Sequence, residues 1–186
     1  MKKIPTIFER DWDGDRSRVL DQPVAGCEWV FAGEGNALRK YDGTAVAIID
    51  GVYFKRHEVR QGKPTPEGFI QVEDDLQTGK IVGWVPVGNG PEDKWHQQAI
   101  PPVGYGRQPL ADGTYELVGP KIQGNPEGYS EHSLVRHDFT EGVGNLERTF
   151  DGISKFLESA SWEGIVFHHP DGRMAKIKAR DFGIKR

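Results

Sequence analysis

Long helical periodicity is scarce along this chain and glycine is abundant, with 24 in 186 residues, a pattern that predicts short strands joined by tight turns. Three Asp-Gly pairs mark the turns. Residues 45–49, then Asp50-Gly51, then residues 52–56 read as a hairpin with a type I′ turn. Asp112-Gly113 feeds a predicted strand over 114–118, and Pro170-Asp171-Gly172 joins strands over 164–168 and 173–178. In that last strand, alternation puts Met174, Lys176 and Lys178 on one face and Ala175 and Ile177 on the other. The best helix is 146–159, where Leu146, Phe150, Ile153, Leu157 and Ala160 recur at helical spacing. Residues 74–109 are rich in glycine and proline and are expected to form an insertion or a lid.

Composition narrows the class. A chain of 186 residues suits one domain, long enough to bury a core without cross-links. Cys27 is the only cysteine, which fits a reducing compartment and leaves no partner for a disulfide or a zinc site. The first residues run quickly into charge, with Glu9, Arg10 and Asp11, so no secretory leader is expected, and no stretch approaches the roughly 20 apolar residues of a membrane span. A cytoplasmic protein without membrane partners is expected. The net charge of −4 excludes a uniformly basic surface for nucleic acid, so any polyanion must be held by local clusters. Two such clusters exist. One is Lys55, Arg56 and His57 with Arg60 and Lys63; the other is Arg173, Lys176, Lys178, Arg180, Lys185 and Arg186.

The candidate chemistry lies beside those clusters. Lys40-Tyr41-Asp42-Gly43-Thr44 sets a lysine beside a carboxylate and a glycine, and far downstream Glu163 opens an apolar strand next to Lys176 and Lys178. Two cations side by side on one strand face repel each other unless an anion lies between them, which is the physical case for a phosphate there. A free lysine, with a pKa near ~10.4, is a poor nucleophile at neutral pH. Crowding by Lys176 and Lys178 and partial desolvation would expose the lone pair of Lys40. Asp42 would then orient water, metal or the ammonium, and Gly43 would allow the tight turn into the strand. Other patterns fail. Asp11-Trp12-Asp13-Gly14-Asp15 has its glycine misplaced for a calcium loop, and Gln22 stands where the closing glutamate belongs.

Taken in order, these segments resemble motifs I, IV and V of the covalent nucleotidyltransferases, the superfamily of ATP-dependent ligases and mRNA capping enzymes. Residues 114–119, Thr-Tyr-Glu-Leu-Val-Gly, resemble motif III, which implies that Glu116 contacts the nucleotide ribose or a metal-bound water. The resemblance gives Glu163 the same choice of roles, expects a basic motif Ia residue at Lys55 or Arg56, with Arg56 taken first, and expects an aromatic ring on the purine at Phe139 or, second, His137. The base would be read partly by main chain near Leu38 and Arg39. Arginine commonly stands two positions beyond the motif I glycine in DNA ligases and capping enzymes, whereas this chain has Ala45.

The K-x-D-G-T form, with Gly83-Trp84-Val85-Pro86-Val87 and Trp95-His96, is similar to the RNA 5′-phosphate/3′-hydroxyl ligase 1 family. That similarity implies an α+β, ATP-grasp-like adenylation domain with antiparallel sheets around a nucleotide cleft. It also implies ATP and Mg²⁺ (with Mn²⁺ as a substitute) as cofactors and RNA 5′-phosphate and 3′-hydroxyl ends as partners. Eight residues follow Lys178, so no trailing oligonucleotide-binding barrel is expected. A DNA ligase core, a GTP-dependent capping-type transferase, a degenerate RNA-binding domain and an AMP-transferase acting on another target are the alternatives.

Overall fold

A computed structural model describes residues 2–76, 78–102 and 108–186. In chain order the elements are β1 (Phe8–Arg10), β2 (Val19–Pro23), α1 (Glu28–Phe31), β3 (Asn36–Lys40), β4 (Thr44–Ile49), β5 (Val52–Arg60), β6 (Ile70–Asp75) and β7 (Lys80–Pro86). They continue with α2 (Lys94–Ala99), β8 (Gly113–Val118), β9 (Ser133–Arg136), α3 (Phe150–Ala160), β10 (Gly164–His168) and β11 (Met174–Lys178). Every strand pair within the three sheets is antiparallel, and the class is α+β.

The chain divides into two compact units, and the division falls inside the K-x-D-G segment. The first unit comprises Met1–Lys3 and Asp42–His137. Its six-stranded sheet runs β6-β7-β5-β4-β8-β9. The β4–β5 turn has Asp50 at φ 51° and Gly51 at φ 73°, the two left-handed residues that a type I′ turn requires. Both amides of that turn donate to the Asp112 carboxylate, at 2.8 and 3.0 Å, which ties this hairpin to the β8 turn. One sheet face carries Val46, Ile48, Tyr115 and Leu117 against Ala99 of α2 and Ile122. The opposite face carries a smaller cluster of Ala47, Phe54 and Trp84.

The stretch 74–109, expected as an insertion or lid, contains the end of β6, all of β7 and α2. β7 bonds to β5 on one side and β6 on the other, and buries Val82 and Trp84. Gly83 of β7 serves close packing: a Cβ there would run into the Phe69 ring and the Ile70 carbonyl. Residues Gln77 and 103–107 of that stretch lie outside the described residues.

The second unit comprises Ile4–Tyr41 and Asp138–Arg186. Its three-stranded sheet runs β11-β10-β3, and α3 supplies Ile153 and Leu157 to a core shared with Ile7, Phe8, Trp29, Val30, Ile165, Phe167, Ala175 and Ile177. The helix begins four residues later than the apolar spacing predicts, because Thr149 is its N-cap and accepts from the Gly152 amide at 3.1 Å. Leu146 still packs on the core from the preceding segment. The outer side of β11 is covered by residues 5–7, with the Lys176 amide donating to the Pro5 carbonyl and the Ile7 amide to the Lys176 carbonyl. Among the described residues, no helix is long and apolar enough to cross a membrane.

Candidate active site

The three-stranded sheet of the second unit gathers the lysines. Gly164 pairs with Lys40 of β3 on one side and Lys178 of β11 on the other, so these three positions form one row across the sheet. Lys176, Val166 and Leu38 form the next row. Residues in register share a face, and successive rows two residues apart share it too. Lys40, Lys176 and Lys178 therefore project from one face, while Ala175 and Ile177 are fully buried on the other, as the alternation anticipates. A Cβ on Gly164 would overlap the Ile177 carbonyl oxygen, so the middle position of the lysine row has no room for a side chain.

Glu163 immediately precedes that row. Its Oε2 accepts from Lys40 Nζ at 2.6 Å and its Oε1 from Lys178 Nζ at 2.5 Å. The sequence places Lys176 and Lys178 as cations crowding Lys40; the structure adds a carboxylate held by Lys40 and Lys178 together. Lys40 Nζ also donates to the Tyr41 carbonyl at 3.3 Å. Burial alone would raise the Glu163 carboxyl, and it is the largest single influence. The charges and hydrogen bonds of Lys40 and Lys178 together outweigh it and leave the group below the ordinary carboxylate range. For Lys176 burial comes first, followed by the Lys178 and Lys40 charges. Glu163 and Asp181 only partly oppose them, and the ammonium falls to about 8. Three ammonium groups against Glu163 and Asp181, the latter paired with Arg10, leave a local surplus of positive charge that suits an anion.

Neighbouring main chain is already engaged. The Arg39 amide donates to the Glu141 carbonyl at 2.7 Å, and the Val143 amide to the Ala37 carbonyl at 2.9 Å, so residues 141–143 cover the β3 edge where the base was expected to be read. The Arg39 guanidinium lies 4.5 Å over the Tyr41 ring and 5.3 Å from the Trp162 ring centre, with Glu141 at 3.2 Å. Phe139, the first candidate for stacking, is 79% exposed.

The first unit holds the motif III residue. Ala45 pairs with Glu116, and Glu116 with Val135, so Glu116 lies on the face that also carries Ala47 and Phe54. Its Oε1 accepts from the Gly43 amide at 3.0 Å and its Oε2 is 2.9 Å from His137 Nε2. The expected reason for Gly43, a tight turn, gives way to another. Gly43 is not among the glycines at positive φ, but a Cβ there would overlap the Leu117 carbonyl oxygen and press on Glu116 Cγ. Glycine is needed for close approach of the backbone to β8. The Asp42 amide, next to it, donates to Glu127 at 3.0 Å.

Lys55 and Arg56 lie on opposite faces of β5. Lys55 pairs with Val46 and points to the α2 side, where it forms a 2.5 Å ion pair with Asp93, which is 2% exposed. Arg56 is on the other face, with Phe54 and Glu116. Burial raises the Asp93 carboxyl, but Lys55, the Gly88 amide and His96 lower it further than burial raises it. Asp93 was not singled out from the sequence, and His96 entered only through the Trp95-His96 pair. Among the described residues no group of three or more His, Cys, Asp or Glu side chains is placed to hold a metal ion, and Glu163 and Glu116 each stand in a separate unit.

No family model matches the chain. Comparison with curated proteins nonetheless finds distant similarity to RNA ligases. The relatives are proteins named RNA ligase 1. The Mus musculus protein is 27% identical over 160 residues, covering 70% of this chain and 46% of its own length. The Danio rerio protein is 29% identical over 168 residues, with 70% and 46% covered. The Pongo abelii protein is 30% identical over 161 residues, with 66% and 49% covered. The chain thus spans about half the length of the curated relatives it matches.

Proposed function

We propose that this chain is the adenylation domain of an ATP-dependent RNA ligase that joins 5′-phosphate and 3′-hydroxyl ends through a lysyl–AMP intermediate at Lys40. The observation that carries the reading is the row Lys40–Gly164–Lys178 with Lys176 beside it, three amines on one sheet face, two of them bonded to Glu163. The similarity to proteins named RNA ligase 1 supports RNA as the polymer.

In the proposed reaction the Lys40 amine, having lost one proton, attacks the α-phosphorus of ATP. An N–P bond forms, the bond from that phosphorus to the bridging oxygen breaks, and pyrophosphate leaves with the bonding pair. Glu163 holds Lys40 in line until the phosphate arrives. Lys178 and Lys176 then neutralise the charge on the α-phosphate oxygens. Mg²⁺ on the phosphates would offset the remaining charge. It binds through one or two carboxylates plus phosphates and waters, so a single carboxylate such as Glu163 or Glu116 fits that role. Arg56 is the candidate grip on ribose or phosphate, Glu116 the ribose contact, and Phe139 the ring for the purine. AMP would next pass to the RNA 5′-phosphate, and the 3′-hydroxyl would displace it.

Intact mass after incubation with ATP and Mg²⁺ tests the reading. The expected result is the gain of one AMP, mapped to Lys40 and absent in Lys40→Ala. An unmodified wild-type chain, or an adduct that persists in Lys40→Ala, would overturn it.

A further inference from the structure

His137, the second candidate for stacking, is bonded through both ring nitrogens. Its Nε2 lies 2.9 Å from Glu116 Oε2 and its Nδ1 3.0 Å from Thr114 Oγ1, so both ring nitrogens are committed. A carboxylate oxygen can only accept, so Nε2 carries the hydrogen. Thr114 and Glu116 are two residues apart on β8 and share a face. The imidazole spans them, anchored at one end by a hydroxyl and bonded at the other to the carboxylate. Glu116 is 8% exposed and receives one donor on each oxygen, the Gly43 amide on Oε1 and His137 on Oε2. A carboxylate offers about four acceptor sites, so each oxygen keeps one for a hydroxyl.

We propose that His137 is a positioning residue that clamps Glu116 against the Gly43 amide and thereby sets how strongly the protein prefers ATP over deoxy-ATP. The preference rests on the reading of Glu116 as the ribose contact; the clamp itself rests on the geometry alone. A site built to bond a hydroxyl discriminates against the analogue lacking it only when its acceptor is held in place. Without the imidazole, Glu116 retains one donor and gains rotamer freedom, and the acceptor is no longer fixed where the hydroxyl needs it.

The test compares His137→Phe, which keeps a ring without a donor, with His137→Gln, whose amide nitrogen can replace Nε2. Adenylation is followed with ATP, 2′-deoxy-ATP and 3′-deoxy-ATP. In His137→Phe, KM for ATP should rise about tenfold, the value expected for losing a bond held by a charged acceptor, with kcat changed much less. The preference for ATP over whichever deoxy analogue wild type rejects should shrink by a similar factor, and His137→Gln should restore most of both. Thr114→Val, which removes the anchor but not the donor, should move the same way by a smaller factor and serves if His137→Phe does not fold.

An unchanged ATP preference in His137→Phe would overturn the specificity claim, as would His137→Gln behaving like His137→Phe. The Gly43 amide gives a reading independent of chemistry: its hydrogen exchange should accelerate in His137→Phe and recover in His137→Gln. If wild type forms no adduct, the proposed function fails, and the clamp stands or falls on that exchange measurement. Unaltered Gly43 exchange in His137→Phe would refute the clamp outright.

Discussion

Lys176 should cost the folded protein stability, and replacing it should make the chain more stable while removing the proposed adenylation. Its ammonium is brought from an ordinary value of 10.5 to about 8, by burial first and then by the Lys178 and Lys40 charges. At 1.36 kcal/mol for each tenfold change, that fall corresponds to about 3 kcal/mol of unfavourable charging in the folded state at pH 7. The sign follows from proton counting. Between pH 8 and 10.5 the unfolded chain holds this proton while the folded chain has released it, so stability rises with pH across that window. Below 8 both forms are charged and the full penalty applies. Lys176→Met keeps a flexible apolar stem of similar length and deletes the charge. Urea denaturation should show Lys176→Met about 2–3 kcal/mol more stable than wild type at pH 7, with the gain falling by more than half at pH 9.5. Adenylation should be lost at both. A variant no more stable than wild type at pH 7, or a gain that is the same at pH 9.5, would refute the assignment of the strain to this ammonium.

Other consequences follow from the packing. Lys55→Met should destabilise by about 2–3 kcal/mol in urea, since it strands the buried Asp93 carboxylate, yet it should still form the adduct; Arg56→Ala should do the reverse. Gly43→Ala should cost about 2 kcal/mol or more and abolish adenylation, because its methyl group would displace β8 or the Glu116 side chain; thermal denaturation and intact mass check both. His96 is driven below 6.5 by burial, which outweighs the Asp93 charge, with the Lys55 charge adding to the effect. The unfolded chain takes up this proton more readily, so stability should be full above pH 6.5 and decline as pH falls below it. His96→Gln should flatten that decline in urea midpoints measured from pH 7.5 to 5.5.

Local chemistry made several elements legible in advance. Asp50-Gly51 announces a type I′ turn because both residues accept left-handed backbone, and the hairpin follows. Alternation along residues 174–178 announces which lysines share a face. The start of α3 was misplaced because apolar spacing continues through Leu146, where the chain is not yet helical; Thr149 four positions before Ile153 was the readable signal of the cap. Along 74–109 composition does not distinguish a glycine that turns the chain from one, such as Gly83, that lets a ring pack against a strand. The carboxylates His137 and Lys55 would bind were out of reach of any local rule, though strand parity from the β4–β5 hairpin would have separated Lys55 from Arg56.

The sequence by itself determined the turn positions, the strand alternation and the residue types that resemble a nucleotidyltransferase, because each depends on neighbours within a few positions along the chain. Only the tertiary structure decided that Lys40 meets Glu163 across a separation of 123 residues, with Lys178 on the other carboxylate oxygen. It also decided that His137 holds Glu116 and that Asp93 claims Lys55. Those pairings are set by sheet register and by which faces find apolar cover, and register is a property of strands brought together from distant parts of the chain.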